Sequence, residues 1–268
     1  MNLAVLGSGS RGNAIVIAAG GDALLIDAGF GLRTLRKRLR AVGVRPEIVR
    51  AVVVTHEHAD HSRGAGTLAA ALGCPLVATK GTLHALRDEL DQVETLPLAV
   101  GCAMRVGCLA VDACATLHDA AEPVAVRVSH PASGQRYGIA CDVGHVTPDL
   151  AAFLRGCTGL VLEANHDADM LASGPYPPAL QARIAGRLGH LSNAAAARLA
   201  ASLAHAGLSF VVLAHLSEQC NRPDLARRVV ADALARCQFS GALLVAHQDR
   251  PLPVVPLRVE PQYSLQLH

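Results

Sequence analysis

The densest group of chemically reactive side chains is the stretch THEHADH, residues 55–61. It places three imidazoles and a carboxylate within six residues, directly after an apolar run. His56 and His58 alternate, so in extended backbone both side chains point the same way. Asp60 and His61 come where the next helix is predicted to begin. The spacing therefore predicts that all four side chains converge on one place at the end of a buried strand.

These donor types indicate metal chemistry. Histidine and carboxylate ligands suit zinc and similar divalent cations. Four donors are too many for one catalytic ion that must keep coordination positions open. The motif therefore predicts two adjacent divalent ions. A polar surface loop is the alternative, and such a demanding pattern disfavours it.

A second motif, Gly7-x-Gly9-x-x-Gly12, has the spacing of a dinucleotide-binding loop. Such a loop must open a helix, because the pyrophosphate sits on the helix N-terminus. Only seven residues separate Gly12 from Gly20, and they include the β-branched run Ile15-Val16-Ile17. This predicts a hairpin of strands in place of a crossover helix and disfavours NAD binding.

Composition excludes several classes of protein. The chain has 268 residues, a net charge of +2, eight cysteines and no tryptophan. No apolar stretch is long enough to span a membrane, and the first residues lack the basic region of a secretory signal. The cysteines form no C-x-x-C pair, which favours free thiols in a reducing compartment. We expect a cytoplasmic protein with no membrane partner, and a net charge this small does not by itself imply nucleic-acid binding.

The elements that must position these residues alternate between strand and helix. Strands are predicted at 3–6, 14–18, 23–27, 48–55, 76–78, 161–163 and 210–214, with strand-like pieces over 96–142, and helices at 31–42, 62–72, 192–205 and 223–236. No internal repeat or linker interrupts this order. We therefore expect one α/β domain over 1–268, ending in a proline-rich tail at about 251–268.

Five short motifs in this order resemble the metallo-β-lactamase-fold hydrolases, and the resemblance covers nearly the whole chain. They are LLIDAG with Asp27, THEHADH, TLHDA with His118, CDVG with Asp142 and LAHLS with His215. The resemblance implies a four-layer αβ/βα sandwich with the site at one edge of the two sheets. It also implies seven ligands for two divalent ions, with Zn²⁺ or Mn²⁺ as candidates: His56, His58 and His118 on the first, Asp60, His61 and His215 on the second, and Asp142 bridging them. Asp27 matches the buried aspartate that braces the metal loop, by which we mean residues 55–61. Its alternative role is to cap a turn.

Differences from three other branches of these hydrolases indicate which branch the chain resembles. A flavodiiron oxidase would carry Glu where His58 stands, and a class B β-lactamase would offer Cys to the second metal where this chain has Asp142. Cys141 should face the other side of the strand. Glyoxalase-type thioesterases carry their third histidine in a Pro-Gly-His-Thr context, unlike LHDA here.

Four longer stretches are similar to the YycJ (WalJ) family, bacterial relatives of ribonuclease Z described as DNA exonucleases or phosphodiesterases. They are GSGSRGNA, LEANHDADML, GHLSNAAAARLA and LAHLSEQCN. The small variations at Ala59 and Val143 put no ligand in doubt. The resemblance implies that His190, paired with Glu163, protonates the leaving group, while Asp60 orients the attacking hydroxide. His190 could instead be a residue that merely precedes the helix cap Ser192.

Substrate contacts are less well defined by the sequence. His166 and Asp167 are candidates, as are Ser8, Ser10 and Asn13 in the glycine-rich turn, which could equally be a purely structural turn. The basic run Arg33–Arg40 is either a solvated helix face or a contact for phosphates.

The expected function is a two-metal hydrolase that cleaves phosphodiester bonds with a metal-bridging hydroxide, as a DNA or RNA exonuclease. A nucleic-acid substrate is then the expected partner. The alternatives are a small-molecule hydrolase for a thioester, lactone or cyclic phosphodiester on the same site, and a metal-holding protein without turnover. The sequence leaves the native substrate, the working metal and the oligomeric state open.

Overall fold

A computed structural model describes residues 1–252 of the chain. Within that range its strands are β1 (Asn2–Gly7), β2 (Ala14–Ala19), β3 (Asp22–Ile26), β4 (Val49–Val53), β5 (Leu76–Ala78), β6 (Thr95–Pro97), β7 (Met104–Val106), β8 (Leu109–Ala115), β9 (Val124–His130), β10 (Gln135–Ala140), β11 (Gly159–Glu163), β12 (Phe210–Ala214) and β13 (Ala242–Val245). Its α-helices are α1 (Leu32–Ala41), α2 (Ala59–Ser62), α3 (Ala65–Leu72), α4 (Lys80–Ala85), α5 (Pro148–Leu154), α6 (Ala168–Ala172), α7 (Pro178–Ala185), α8 (Asn193–Leu203) and α9 (Pro223–Arg236).

The first sheet has the order β1-β2-β3-β4-β5-β6. Strands β1, β2 and β3 pair antiparallel, and β3 to β6 continue in parallel. The glycine-rich segment joins β1 to β2, and Gly20 and Gly21 turn β2 into β3 with positive φ angles of 56° and 89°. The predicted strands are thus confirmed, and there is no crossover helix after Gly12 to receive a dinucleotide.

The second sheet has the order β13-β12-β11-β10-β9-β8-β7. Strands β7 to β10 form an antiparallel meander, and β10 to β13 run parallel. Parallel strands end at the same edge of a sheet. The residues that follow β10, β11 and β12 therefore lie side by side.

The central strands are buried along nearly their whole length, and successive residues pack on opposite sides, so both faces of each sheet are covered. In β3, Leu24 and Ile26 join the core between the two sheets, while Ala23 and Leu25 pack outward toward α1 and α3. The outer face of the second sheet packs against α5, α8 and α9. The order of layers is helix, sheet, sheet, helix, which confirms the four-layer α/β architecture.

Several element boundaries differ from prediction. The strand predicted at 48–55 is shorter, because a 3₁₀ turn occupies Pro46–Ile48. The helix predicted at 62–72 is two helices that meet at Gly64, where a Cβ would lie 2.0 Å from the Phe30 carbonyl oxygen. Helices α4 to α7 were not predicted, since each is eight residues or shorter.

The predicted C-terminal tail lies mostly outside the residues that the structure describes. Of the tail predicted at about 251–268, residues 253–268 lie outside the described residues. No helix within 1–252 is both long and apolar enough to cross a membrane.

Candidate metal centre

The metal loop follows β4 and is held by backbone hydrogen bonds from two neighbouring turns. The amide of Asn13 donates to the Asp60 carbonyl at 2.7 Å, and the amide of Ala28 donates to the His61 carbonyl at 2.7 Å. A Cβ on Gly29 would lie 1.8 Å from the Asp60 carbonyl oxygen. Glycine at 29 is therefore required for the turn after β3 to approach the metal loop.

Asp27 orients this loop from beneath. Its Oδ1 accepts hydrogen bonds from the Thr55 amide at 2.9 Å and hydroxyl at 3.0 Å, and its Oδ2 lies 2.7 Å from His61 Nδ1. Nε2 is then the His61 nitrogen that faces Asp60 and Asp142. A carboxylate behind a histidine fixes the ring orientation and tautomer in metal sites.

The second sheet contributes donors from the ends of neighbouring strands. Asp142 lies just beyond β10, Glu163 is the last residue of β11, and His215 directly follows β12. Asp142 and His215 both adopt φ 54°, and Asp27 adopts φ 59°. A left-handed backbone at a non-glycine residue costs about 1–3 kcal/mol and clusters at functional sites. Cys141 packs into the core between the sheets and offers no donor to the cleft.

One group of potential ligands consists of His56, His58 and His118, whose donor atoms lie within 4.8 Å of one another. His118 Nδ1 lies 3.0 Å from the Gly189 carbonyl, and its Nε2 is 3.3 Å from His58 Nδ1. His56 Nδ1 lies 3.1 Å from the Thr55 hydroxyl. His118 Nε2, His58 Nδ1 and His56 Nε2 are therefore the nitrogens available to one ion.

A second group consists of Asp60, His61, Asp142 and His215, again within 4.8 Å, and a third, overlapping group consists of Asp142, Glu163, His190 and His215. Asp60 Oδ2 is 3.3 Å from His215 Nε2 and 3.5 Å from His61 Nε2. Asp142 Oδ2 is 2.6 Å from His61 Nε2 and 3.2 Å from His56 Nε2. Asp142 therefore contacts members of both groups.

Two features of the structure indicate that these donor atoms suit divalent cations. Within the described part of the chain, His56 Nε2 and Asp142 Oδ1 are buried and make no aligned hydrogen bond. His56 Nε2 lies 3.2 Å from Asp142 Oδ2, and Asp142 Oδ1 lies 2.7 Å from His215 Nδ1, so these atoms crowd together without the alignment of hydrogen bonds, as ligands of one cation would. The group also combines imidazole with carboxylate, the donor types that zinc and manganese accept.

Charge differs between the two groups. Burial lowers the pKa of His56 and His118, which favours the neutral imidazole that metal ligation needs. Burial also opposes charge on His61 and His215, but nearby carboxylates, Asp142 first, outweigh it and raise the pKa of both rings. The two carboxylates of the second group thus attract positive charge, which protons on His61 and His215 supply here and a bound cation would supply in their place.

Glu163 and His190 form a pair beside these groups. Glu163 Oε1 lies 2.8 Å from His190 Nδ1 and 3.0 Å from His215 Nδ1, while its Oε2 accepts the amides of Val143 at 2.9 Å and Leu191 at 3.0 Å. Burial disfavours charge on both partners, but their mutual attraction raises the pKa of His190 to about 9 and lowers that of Glu163 to about 2. The pair is therefore ionised, with His190 Nε2 left free.

A cavity of about 250 Å³ opens over the centre. Its lining contains donors from both groups together with residues of the glycine-rich turn and of the segment around α7: Ser10, His58, Asp60, His118, Asp119, Asp142, Asn165, Tyr176, Leu180, Arg183, Ile184, Gly189, His190, His215 and Ser217.

The residues predicted to bind substrate are distributed unevenly around this cavity. Ser10 lines it. Ser8 lies behind the centre, where its hydroxyl donates to Asn13 Oδ1 at 2.9 Å and accepts the His215 amide at 2.8 Å. His166 is buried, and Asp167 caps α6 by accepting the Met170 amide. Neither of the last two lines the cavity.

Sequence reasoning missed one wall of the cleft. Tyr176, Leu180, Arg183 and Ile184 line it from the segment around α7, and Arg183 pairs with Asp119. Pro177-Pro178 could have indicated the start of a helix there. No motif links that segment to the metal loop.

Comparison with known proteins gives a consistent result. A profile of the family described as beta-lactamase superfamily domain matches residues 23–216. The chain is 30% identical over 255 residues to the exodeoxyribonuclease YycJ of Bacillus anthracis, covering 94% of this chain and 96% of that protein.

Solved structures agree on the fold. The metallo-beta-lactamase fold protein YhfI from Bacillus subtilis aligns with a TM-score of 0.70 at 19% identity, covering 94% of this chain and 98% of that one. Zn(2+)-bound PqqB from Methylobacterium extorquens aligns with a TM-score of 0.66 at 21% identity, covering 94% and 99%. Together with the converging histidines and aspartates, these matches establish that the chain belongs to the metallo-β-lactamase-fold hydrolases of the beta-lactamase superfamily.

Proposed function

We propose that this protein is a two-metal phosphodiesterase that degrades nucleic acid from an end, with DNA as the first candidate substrate and RNA as the second. The observation that carries the proposal is the contact of Asp142 with both donor groups in one cleft. The similarity to an exodeoxyribonuclease along nearly the full length of both chains supports it.

The two groups would hold two divalent ions, Zn²⁺ or Mn²⁺, with Asp142 between them. The Zn(2+)-bound state of the structural neighbour PqqB supports zinc as one candidate. When bound, two such ions would supply Lewis acidity toward a phosphate and toward the attacking water.

The chain's own residues would handle the protons and the orientation of the reactants. Asp60 Oδ2 lies between His61 and His215 and would orient the attacking water as well as serve as a ligand. His190 Nδ1 is bound to Glu163, so Nε2 is the atom placed to give a proton to the leaving oxygen. Glu163 would hold that ring in position.

The glycine-rich turn would contribute to substrate binding through Ser10, which reaches the cavity. Ser8 and Asn13 would support the centre from behind, since Asn13 Nδ2 lies 3.0 Å from His61 Nε2 and 3.3 Å from Asp60 Oδ2. A substrate role for His166 and Asp167 stays a prediction.

We also propose that residues 1–268 act as one domain in the cytoplasm. Both sheets share one core, and all eight cysteines are free thiols, as in proteins of a reducing compartment.

The second candidate function is hydrolysis of a small ester. A cavity of about 250 Å³ is slightly below the usual range of roughly 300–1,000 Å³ for small-molecule sites, so a compact substrate would fit. The metal centre alone does not distinguish a thioester or lactone from a phosphodiester.

The decisive experiment compares substrate classes on the metal-loaded protein. End-labelled single- and double-stranded DNA and RNA are digested with Zn²⁺ or Mn²⁺, alongside a nitrophenyl phosphodiester and a thioester, with a chelator as control. We expect metal-dependent release of nucleotides from an end and hydrolysis of the nitrophenyl phosphodiester. Thioester turnover with inert phosphodiesters would overturn the proposal in favour of the second candidate.

A further inference from the structure

One wall of the cleft is built from side chains that the proposed chemistry does not use. Leu180 and Ile184 occupy positions i and i+4 on α7, which places them on one face of that helix, and both line the cavity. Tyr176 lies just before the helix and lines the same cavity, with its carbonyl accepting a hydrogen bond from Gln181 at 3.0 Å.

This apolar surface, half-buried in the described fold, lies outside the packed core. Helix α7 contains no buried residue, and neither Leu180 nor Ile184 belongs to any of the three core clusters. An apolar face that is turned toward a reactive cleft and not toward the core is typical of a binding surface.

Tyr176 is notable because aromatic residues are scarce. The chain has three tyrosines, four phenylalanines and no tryptophan. Tyr137 is fully buried, whereas Tyr176 is partly exposed and is the one aromatic side chain besides histidine in the cavity lining. A half-exposed aromatic ring beside a phosphodiesterase centre is the usual platform on which a nucleic-acid base stacks.

Arg183 adds positive charge to the same wall. Its Nε donates to Asp119 Oδ2 at 2.7 Å, and Asp119 Oδ1 lies 3.3 Å from His118 Nε2. Among the described residues, Arg183 Nη1 makes no hydrogen bond, and the side chain is 63% exposed. The guanidinium is thus tethered at the edge of the metal centre with donors left over for a phosphate oxygen.

We propose that this wall is the subsite for the terminal nucleotide, with its base stacked on Tyr176 against Leu180 and Ile184 and a phosphate oxygen of the same strand held by Arg183. The inference rests on the proposed phosphodiesterase function and names the part of the substrate that the cleft selects. A cavity of about 250 Å³ lies at the small end of ligand sites, which suits a single nucleotide at a strand end.

The first test removes the base and not the phosphate. Oligonucleotides that end in a normal nucleotide or in an abasic tetrahydrofuran nucleotide are compared, with the change placed at the end the enzyme attacks. We expect kcat/KM to be about 5- to 150-fold higher for the base-bearing end, the value of one stacked base. Tyr176→Ala should abolish that preference, and Tyr176→Phe should keep it.

Leu188→Ala is the matched control, because Leu188 is 51% exposed, lies close to α7 in sequence and does not line the cavity. It should leave the preference unchanged. Equal cleavage of both ends by the native protein, or an undiminished preference in Tyr176→Ala, would overturn the inference.

Methyl nitrophenyl phosphate is a phosphodiester without a nucleobase. Its hydrolysis distinguishes failure of the proposed subsite from failure of the proposed function. If the native protein hydrolyses it and releases nucleotides without any preference for a base, the proposed function stands and the subsite is wrong. If no phosphodiester is cleaved, both are wrong. Calorimetry with a deoxynucleoside monophosphate and with deoxyribose 5-phosphate gives a readout independent of turnover, and only the nucleotide should bind more weakly to Tyr176→Ala.

Arg183→Ala tests the phosphate contact. It should raise KM equally for base-bearing and abasic ends and leave their ratio unchanged, while Arg187→Ala, a neighbouring exposed arginine outside the cavity lining, should not raise KM. An unchanged KM in Arg183→Ala would remove Arg183 from the subsite.

Discussion

The two halves of the molecule supply the metal centre in different ways. The N-terminal half, β1–β6 with α1–α4, contributes four donors from one loop after β4, held from beneath by Asp27. The C-terminal half, β7–β13 with α5–α9, contributes residues from several separate places: the donors His118, Asp142 and His215, and the pair Glu163 and His190 beside them. One half thus carries a compact local motif, and the other brings residues together through strand register.

Each half also has its own organising carboxylate. Asp27 fixes the Thr55 amide and the His61 ring, which are 28 and 34 residues away in the chain. Glu163 is fully buried and contacts His190, His215 and two backbone amides. The comparison indicates that damage to the first carboxylate should disturb one loop, whereas damage to the second should disturb the contacts between several strand ends.

The largest effect should come from Asp142→Asn, which removes the carboxylate that contacts both donor groups. We expect both ions to bind more weakly and kcat/KM on DNA to fall about 10³-fold or more, because the metal centre supplies several kcal/mol of transition-state stabilisation. Elemental analysis and activity assays measure the two losses. The exposed Asp88→Asn serves as control, and native metal content in Asp142→Asn would show that Asp142 is not the bridge.

The next largest effect should come from His190→Ala. This change should leave both ions in place and lower turnover on DNA about 10²–10⁴-fold, because a general acid is lost. The loss should be much smaller on a nitrophenyl ester, whose phenolate leaves without a proton. Equal losses on both substrates would mean that His190 positions the phosphate instead, and His84→Ala, at an exposed histidine, should cost nothing.

Asp27→Asn and Glu163→Gln test the two organising carboxylates against each other. Each change should lower metal affinity or activity about 10- to 100-fold, the usual effect of removing a group that orients a metal ligand. Asp27→Asn turns an amide toward His61 and should reduce metal affinity alone, whereas Glu163→Gln, at a residue that contacts His215 as well, should also free His190 and reduce turnover on DNA at saturating metal. Titration of metal into the chelator-treated variants distinguishes the two outcomes, and identical profiles would contradict the division between the halves.

The smallest effect should come from the outer face of α1 in the N-terminal half. This helix contains no acidic residue, and Arg33 and Lys37 lie one turn apart at its surface. If they contact phosphates, the double change Arg33→Ala and Lys37→Ala should lower the slope of log affinity against log salt by about 0.7–0.9 per contact. Arg227→Ala with Arg228→Ala on α9 removes the same charge elsewhere. An unchanged slope would show that the α1 face is merely solvated.

Much of the fold was predictable because local patterns specify it. The bounds of β5, β12 and α9 match the predicted ones, and Ser192 caps α8 as expected, its hydroxyl accepting the Ala195 amide at 3.2 Å. Buried strands have long apolar runs, and caps have short polar signatures. Helix α7 has neither a buried face nor a capping side chain, so the Pro177-Pro178 pair at its start is its one local signal.

The amino-acid sequence by itself determined that four donors, His56, His58, Asp60 and His61, lie within six residues of one another after a buried strand, because that spacing is covalent. It also carried, through a family resemblance, the candidate ligands that lie far apart in the chain. Only the tertiary structure decided that Asp142 contacts both donor groups, that Glu163 is shared by His190 and His215, and that Tyr176 and Arg183 face the cleft. The physical reason is that these contacts depend on parallel strand register and on the packing of α7 beside the site, and residue spacing along the chain encodes neither.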